Sequence, residues 1–278
     1  MSNASSKGGG LKSILSMLVI PIALLLGWAF WKFVLGNPAN FEGGDVTKNP
    51  LPENVVGAGN HYLAVMYHGG FVVPFLLCTL FTAIIFAIER AITIRKSKGT
   101  GNIESFIQKI RTLMMKGDVE GAKKECDKQK GSIANVVNAG LTVYSQMEQD
   151  KTLDKERKIL AIQKELEEAT TLELPMLSKN LVIISTIASI ATLLGLFGTV
   201  LGMIRAFSAL ANAGAPDAVA LSTGISEALI NTALGVITSA IAIIFYNTFT
   251  SRIDSITYGI DEAGYTVVQS FNARVKHD

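Results

Sequence analysis

Four stretches of this chain contain no Lys, Arg, Asp or Glu: Ser13–Trp31, Asn54–Ile88, Asn180–Ile204 and Ala228–Ser251. Each approaches or exceeds the ~20 residues that an α-helix needs to cross the hydrocarbon core of a bilayer. In the second stretch the apolar centre is Phe71–Ile88, with Asn60, His61 and His68 at the interface or outside it. Between the runs the chain carries ordinary charged segments. The overall share of charged residues is therefore 17%, against about 25% in soluble proteins, and mean hydropathy is +0.37. This alternation marks an all-α integral membrane protein with four transmembrane helices. A net charge of +2, with bases interspersed among acids, gives no case for nucleic-acid binding.

The first run resembles a signal peptide in having Lys7 and Lys12 ahead of it. It is longer than a 7–15-residue h-region and no small-residue cleavage site follows, so we read it as an uncleaved anchor. Lys and Arg set the direction. The loop before the second span has one base, Lys48, and three acids, Glu42, Asp45 and Glu53, whereas Glu89–Lys179 holds 17 bases. The N-terminus, the large loop and the C-terminal tail are thus expected in the cytoplasm. The expected organisation is a flexible tail over 1–12, spans at 13–35, 66–94, 179–210 and 218–250, outward-facing segments at 36–65 and 211–217, a cytoplasmic helical domain at 95–178 and a cytoplasmic tail at 251–278.

The cytoplasmic block reads as helices. Ile103, Phe106, Ile107, Ile110, Leu113 and Met114 recur with a helical period. Gly117-Asp118 breaks that pattern, with Asp118 as the cap of a following helix. Ser132 precedes a second stripe of Ile133, Val136, Val137, Gly140, Leu141 and Tyr144, and Asp154 opens a long charged helix through Leu172. Pro175, just ahead of the third span, is expected to kink a continuing helix or to open a new one. We favour a long helix that leaves the bilayer and extends into the cytoplasm.

The last two spans carry the polar groups. The third contains GLFGTVLGMIRAF, Gly195–Phe207, in which Gly195, Gly198 and Gly202 allow close backbone approach. Ser185, Thr192 and Thr199, spaced by seven, align three hydroxyls on one face. Such hydroxyls also bond back to their own helix, but beside small residues they suggest a packed or wet interface. The fourth span opens with GISEALINTALGV, Gly224–Val236. Its acid, Glu227, costs at least ~2.5 kcal/mol inside a bilayer unless it faces a cavity, finds a partner or is protonated. It is either a wall carboxylate of that kind or an interfacial carboxylate near the outer headgroups. Asn231 and Thr238 continue its stripe, while Thr232 and Ser239 form a second one. Thr232 lies about 140° round the axis from Glu227. A pore-facing Thr232 therefore leaves Glu227 on a flank. Arg205 is either an interfacial anchor or the partner of an acid on a neighbouring chain.

Other features carry less. Cys78 and Cys126 lack a metal-ligand spacing and read as small buried residues. His61 and His68, seven apart, lack an evident third ligand and read as interfacial histidines. Trp28 and Trp31 read as belt aromatics. No cofactor or metal site and no phosphate-binding G-x-x-x-x-G-K-[ST] loop is present. Paired intramembrane aspartates and an inverted repeat are also missing, which argues against an intramembrane enzyme and a secondary transporter.

GLFGTV at Gly195–Val200, GISEALINTALGV at Gly224–Val236 and Tyr246-Asn247 together resemble the ExbB/TolQ family, with a more distant similarity to MotA-type stator subunits. The resemblance covers about Phe71–Asn247. It implies a homopentameric ring around a central pore that holds the transmembrane helices of an ExbD- or TolR-like partner, a single-span protein expected as a dimer. That partner supplies the proton-carrying aspartate. A TonB- or TolA-like protein would couple the complex to the outer membrane. By resemblance Thr199 and Thr232 line the pore, Glu227 is the functional acid, and Gly195, Gly198, Gly202 and Gly235 serve helix packing. The location implied is the bacterial inner membrane, and the role is an ExbB-like use of the proton motive force for TonB-dependent transport. A TolQ-like envelope role, a motility stator and a non-conducting membrane scaffold are the competing readings. The first span departs from the family's usual three.

Overall fold

The computed structural model describes residues 6–211 and 217–274. The start of the tail read at 1–12, most of the turn read at 211–217 and the end of the tail at 251–278 lie outside them. Ten α-helices are described: α1 (Ser6–Phe30), α2 (Glu53–Val56), α3 (Ala58–Tyr67), α4 (Val73–Lys98), α5 (Ile103–Lys116), α6 (Val119–Gln129), α7 (Gly131–Gln149), α8 (Lys155–Ser178), α9 (Leu181–Ala211) and α10 (Ala218–Arg274). Among the described residues there are four helices long and apolar enough to cross a membrane, and the single β-bridge joins Phe41 and Pro50. The first helix begins at Ser6, within the stretch read as a tail. The fourth apolar run is the middle of a 57-residue helix.

The residues divide into two compact units, one of residues 1–87 and 183–245, the other of residues 88–182 and 246–278. In the first, α1 lies against α4 at Gly27, where a Cβ would stand 2.7 Å from the Pro74 carbonyl oxygen and 3.0 Å from the Cys78 nitrogen. A side chain there would separate the helices, so this glycine permits the added N-terminal span to dock. Past α1, a π-helical turn at Trp31–Leu35 places Trp31 flat on Tyr67 at 4.8 Å. Leu35, Val73 and Leu77 form a buried cluster beneath them, with Leu234 packed alongside. By contrast Leu25, Phe33, Leu193, Leu229 and Ile244 are exposed. An apolar exterior is what acyl chains or neighbouring subunits solvate.

The second unit holds α5–α8 with the C-terminal part of α10. Asn102 caps α5 by accepting from the Glu104 amide at 2.9 Å, and Gly117, at φ +75°, ends it. Asp118 caps α6 through the Gly121 amide at 2.8 Å. Asp154 caps α8 through the Arg157 amide at 2.8 Å. The stripes expected on α5 and α7 are buried, and Tyr144 meets Phe271 of α10 edge-on at 4.9 Å. Cys78 and Cys126 are both buried and free. Burial, with Asp127 and Glu125 nearby, pushes the Cys126 thiol up to about 12.

Pro175 neither opens a helix nor ends one: it sits inside α8. The break comes at Lys179-Asn180, where Asn180 takes φ +66°. The tertiary surroundings fix this point. Arg90 donates to the carbonyls of Met176 and Leu177, each at 3.3 Å, satisfying acceptors that a helix end leaves open.

Candidate functional site

The site is built where α9 and α10 run against each other. Their contact is nearly backbone to backbone because the facing positions lack side chains. A Cβ on Gly202 would stand 2.7 Å from both the Ala228 nitrogen and the Gly224 carbonyl oxygen. One on Gly235 would stand 2.6 Å from the Ala191 carbonyl oxygen and 2.8 Å from the Gly195 α-carbon. Gly195 faces Gly235 and the Asn231 carbonyl, and Gly198 faces the Asn231 side chain. Gly224 plays the reciprocal part against Gly202 and Ala206. Sequence reasoning left it unassigned, although it opens the motif that carries Glu227.

This approach brings the two threonines together. The Thr199 and Thr232 hydroxyls hydrogen-bond each other. Each hydroxyl has a single proton, and the alternative acceptor for it lies in its own helix: the Gly195 carbonyl for Thr199 and the Ala228 carbonyl for Thr232, each at 3.2 Å. Both are half-buried. Farther along, Ser239 donates to the Ala188 carbonyl at 2.6 Å. Thr192 is exposed and bonds back to the Ala188 carbonyl at 3.4 Å. Of the hydroxyl stripe, Thr199 joins the helix pair and Thr192 does not.

Glu227 points elsewhere on α10 and is buried. Nη1 of Arg205 donates to both of its carboxylate oxygens at 2.7 Å. Behind the carboxylate lies the turn that precedes α4. Gly70 has φ +76°, and a Cβ there would collide with the Glu227 carboxylate. The Phe71 ring lies 5.9 Å from the Arg205 guanidinium carbon, within reach of a cation–π contact. One turn along, Asn231 donates to the Gly69 carbonyl at 2.8 Å, and its own side-chain oxygen has no hydrogen-bond partner among the described residues. Within the chain, the partner of Arg205 is Glu227. The Gly69–Phe71 turn also escaped sequence reasoning. The adjacent glycines ahead of an apolar run were the available signal.

A ring nitrogen of His61 lies 2.7 Å from the Leu51 carbonyl, and His68 packs on Phe41 and Tyr67. Among the described residues no group of His, Cys, Asp or Glu is arranged to hold a metal ion. Chemically, the α9–α10 pair offers hydroxyls that can accept and pass a proton, and beside them a carboxylate already satisfied by a guanidinium.

Residues 128–262 match the MotA/TolQ/ExbB proton channel family. The chain is 41% identical over 88 residues to a putative biopolymer transport protein, ExbB-like 3, of Synechocystis, covering 31% of this chain and 42% of that protein. It is 32% identical over 147 residues to the Tol-Pal system protein TolQ of Haemophilus influenzae, covering 51% of this chain and 64% of the relative. Over 95 residues it is 32% identical to the biopolymer transport protein ExbB of Pseudomonas putida, covering 34% and 29%. Each match spans less than two thirds of the relative's own length.

Proposed function

Since residues 128–262 match the MotA/TolQ/ExbB proton channel family, we propose that the chain is an ExbB-like ring subunit of a proton-driven motor in the bacterial inner membrane. Five copies surround a pore occupied by the helices of a dimeric single-span partner. That partner carries the titrating aspartate, and a TonB-like protein takes the output to outer-membrane transport. The large helical segment and both termini lie in the cytoplasm, into which the long helices extend, as the distribution of Lys and Arg supports. Thr199 and Thr232 line the proton path, and Glu227 is the acid on which that wall depends.

The observation that carries this reading is the hydroxyl pair of Thr199 and Thr232, joined across two apolar helices at glycine contacts. A path for protons needs groups that bond them without retaining them, and a hydroxyl is both donor and acceptor. One proton falling through 100 mV releases ~2.3 kcal/mol, so mechanical work on a partner needs several. The match to TolQ over 147 residues favours a Tol-Pal-type role as the second reading, with the same ring and path but a different coupled protein.

The test is reconstitution of the purified chain with its co-expressed single-span partner in liposomes. We expect proton uptake driven by an imposed potential only when both are present, and a detergent-complex mass that fits a ring plus a partner dimer. Absence of flux, together with a function lost only when residues 102–177 are truncated, would leave the scaffold reading in its place.

A further inference from the structure

Arg205 pairs with Glu227, and its geometry constrains what Glu227 can do. The carboxylate takes a guanidinium nitrogen on both oxygens at 2.7 Å. The Gly70 backbone, at φ +76°, closes it from behind, and the Phe71 ring flanks the cation. The pair thus ties the turn before α4 to α9 and α10. A carboxylate in a proton relay must accept and release a proton each cycle, and here acceptance would require breaking the ion pair every time. The hydroxyls of Thr199 and Thr232 hydrogen-bond only with each other and with backbone carbonyls among the contacts described, so no ion pair has to break there.

We propose that Arg205 is a positioning residue, and that Arg205 and Glu227 form a fixed-charge clamp holding the ends of three spans in register while the transported proton passes along the threonine face and not through Glu227. This inference rests on the proton-pathway reading above.

The two halves of the clamp are unequally placed. The Glu227 side chain is 5% exposed and the Arg205 side chain 53%. Removing Glu227 leaves an arginine that can swing its head to the interface. Removing Arg205 leaves a buried carboxylate without a counter-ion, the costlier orphan. The clamp therefore ranks the variants in an order opposite to that of a relay.

The test measures potential-driven proton flux of the reconstituted complex for Arg205→Gln, Glu227→Gln, the double neutral variant and the charge-swapped pair Arg205→Glu with Glu227→Arg. We expect Arg205→Gln to lose about tenfold or more. Glu227→Gln should lose less, and the double neutral variant should return to within about threefold of the parent. The swap should recover part of the loss. If Glu227→Gln alone abolishes flux and the double variant stays inactive, Glu227 carries the proton and the clamp is overturned. If the unmodified complex carries no flux, the proton-pathway reading fails on its own. Thermal unfolding of the same variants in detergent then decides the clamp. Arg205→Gln must be the least stable, with the double variant recovering; additive losses in the two single variants would overturn it.

Discussion

Thr199 and Thr232, one on each of two helices packed through glycines, bring their hydroxyls into hydrogen-bond contact, and each has a carbonyl of its own helix as a second acceptor at 3.2 Å. Each hydroxyl therefore has an alternative partner within one turn. A side chain with two nearby acceptors can exchange them at small cost, which suits a wall that must let a proton pass.

Replacing either threonine by valine keeps the shape and removes the hydroxyl. Thr199→Val and Thr232→Val should each slow proton flux roughly tenfold, equivalent to about one lost hydrogen bond, while the ring still assembles. Thr199→Ser and Thr232→Ser should retain most of it. Flux assays with detergent-complex mass as the assembly control check this. Full activity in both valine variants would remove the threonines from the pathway.

Gly235→Ala should destabilise the α9–α10 pair by about 1–3 kcal/mol, the usual cost of overpacking. The new methyl would meet backbone at the Ala191 oxygen and the Gly195 α-carbon, and backbone yields little. Gly264→Ala is the control: its nearest neighbours are the ends of the Leu166 side chain, at 3.6 and 3.8 Å. Thermal unfolding in detergent should separate the two, and equal losses would mean that the close approach is not what matters.

These contrasts show what was readable in the chain. The caps Asn102, Asp118 and Asp154 act on amides two or three residues away. Of these, Asp118 and Asp154 were legible from local pattern, as were the stripes of α5 and α7. The four apolar runs were legible because the bilayer imposes a length. The ends of the runs were not. Charge-free stretches stop at the first ionisable side chain, whereas α10 continues past Arg252 and Asp254, since a helix needs only its backbone bonds to go on. Local chemistry at Pro175 allows a kinked continuing helix or a new one, and a continuous long helix is the favoured reading; the break between α8 and α9 comes instead at Asn180, beside contacts to Glu89 and Arg90, about 90 residues away in sequence. The Arg205–Glu227 pair crosses the turn between two spans, and periodicity within one helix carries no information about it.

Cys126 should be chemically silent in the folded chain. Its thiol is buried, with the pKa raised from an ordinary 9.0 to about 12, and the reactive thiolate is the minor form. In a Cys78→Ser background, maleimide labelling near neutral pH should be slow until denaturant is added. The linkage has a defined sign. The folded state binds the thiol proton more tightly than the unfolded one, so its contribution to stability is complete below about pH 9 and declines as pH rises towards 12. Rapid labelling of the native protein would show that α6 opens locally.

Arg90→Met tests whether the break between α8 and α9 is held from outside. The Arg90 side chain is 2% exposed and bonds to Glu89 at 2.5 Å, while its Nη1 serves the Met176 and Leu177 carbonyls. Methionine keeps the bulk, orphans those carbonyls and leaves Glu89 without its cation. Leaving those carbonyls unpaired costs about 1–3 kcal/mol each, and the part-exposed Glu89 adds little once solvent screens it. Glu89→Gln should cost less, because it preserves the bonds from Arg90 to the α8 terminus and the amide oxygen that replaces the carboxylate can still accept from the guanidinium. Hydrogen exchange at the amides of residues 177–182 should accelerate strongly in Arg90→Met and modestly in Glu89→Gln. The physical point is which group the segment depends on: if the ion pair itself were the restraint, both variants would loosen it equally, whereas a cap on two carbonyls requires the arginine and only the arginine.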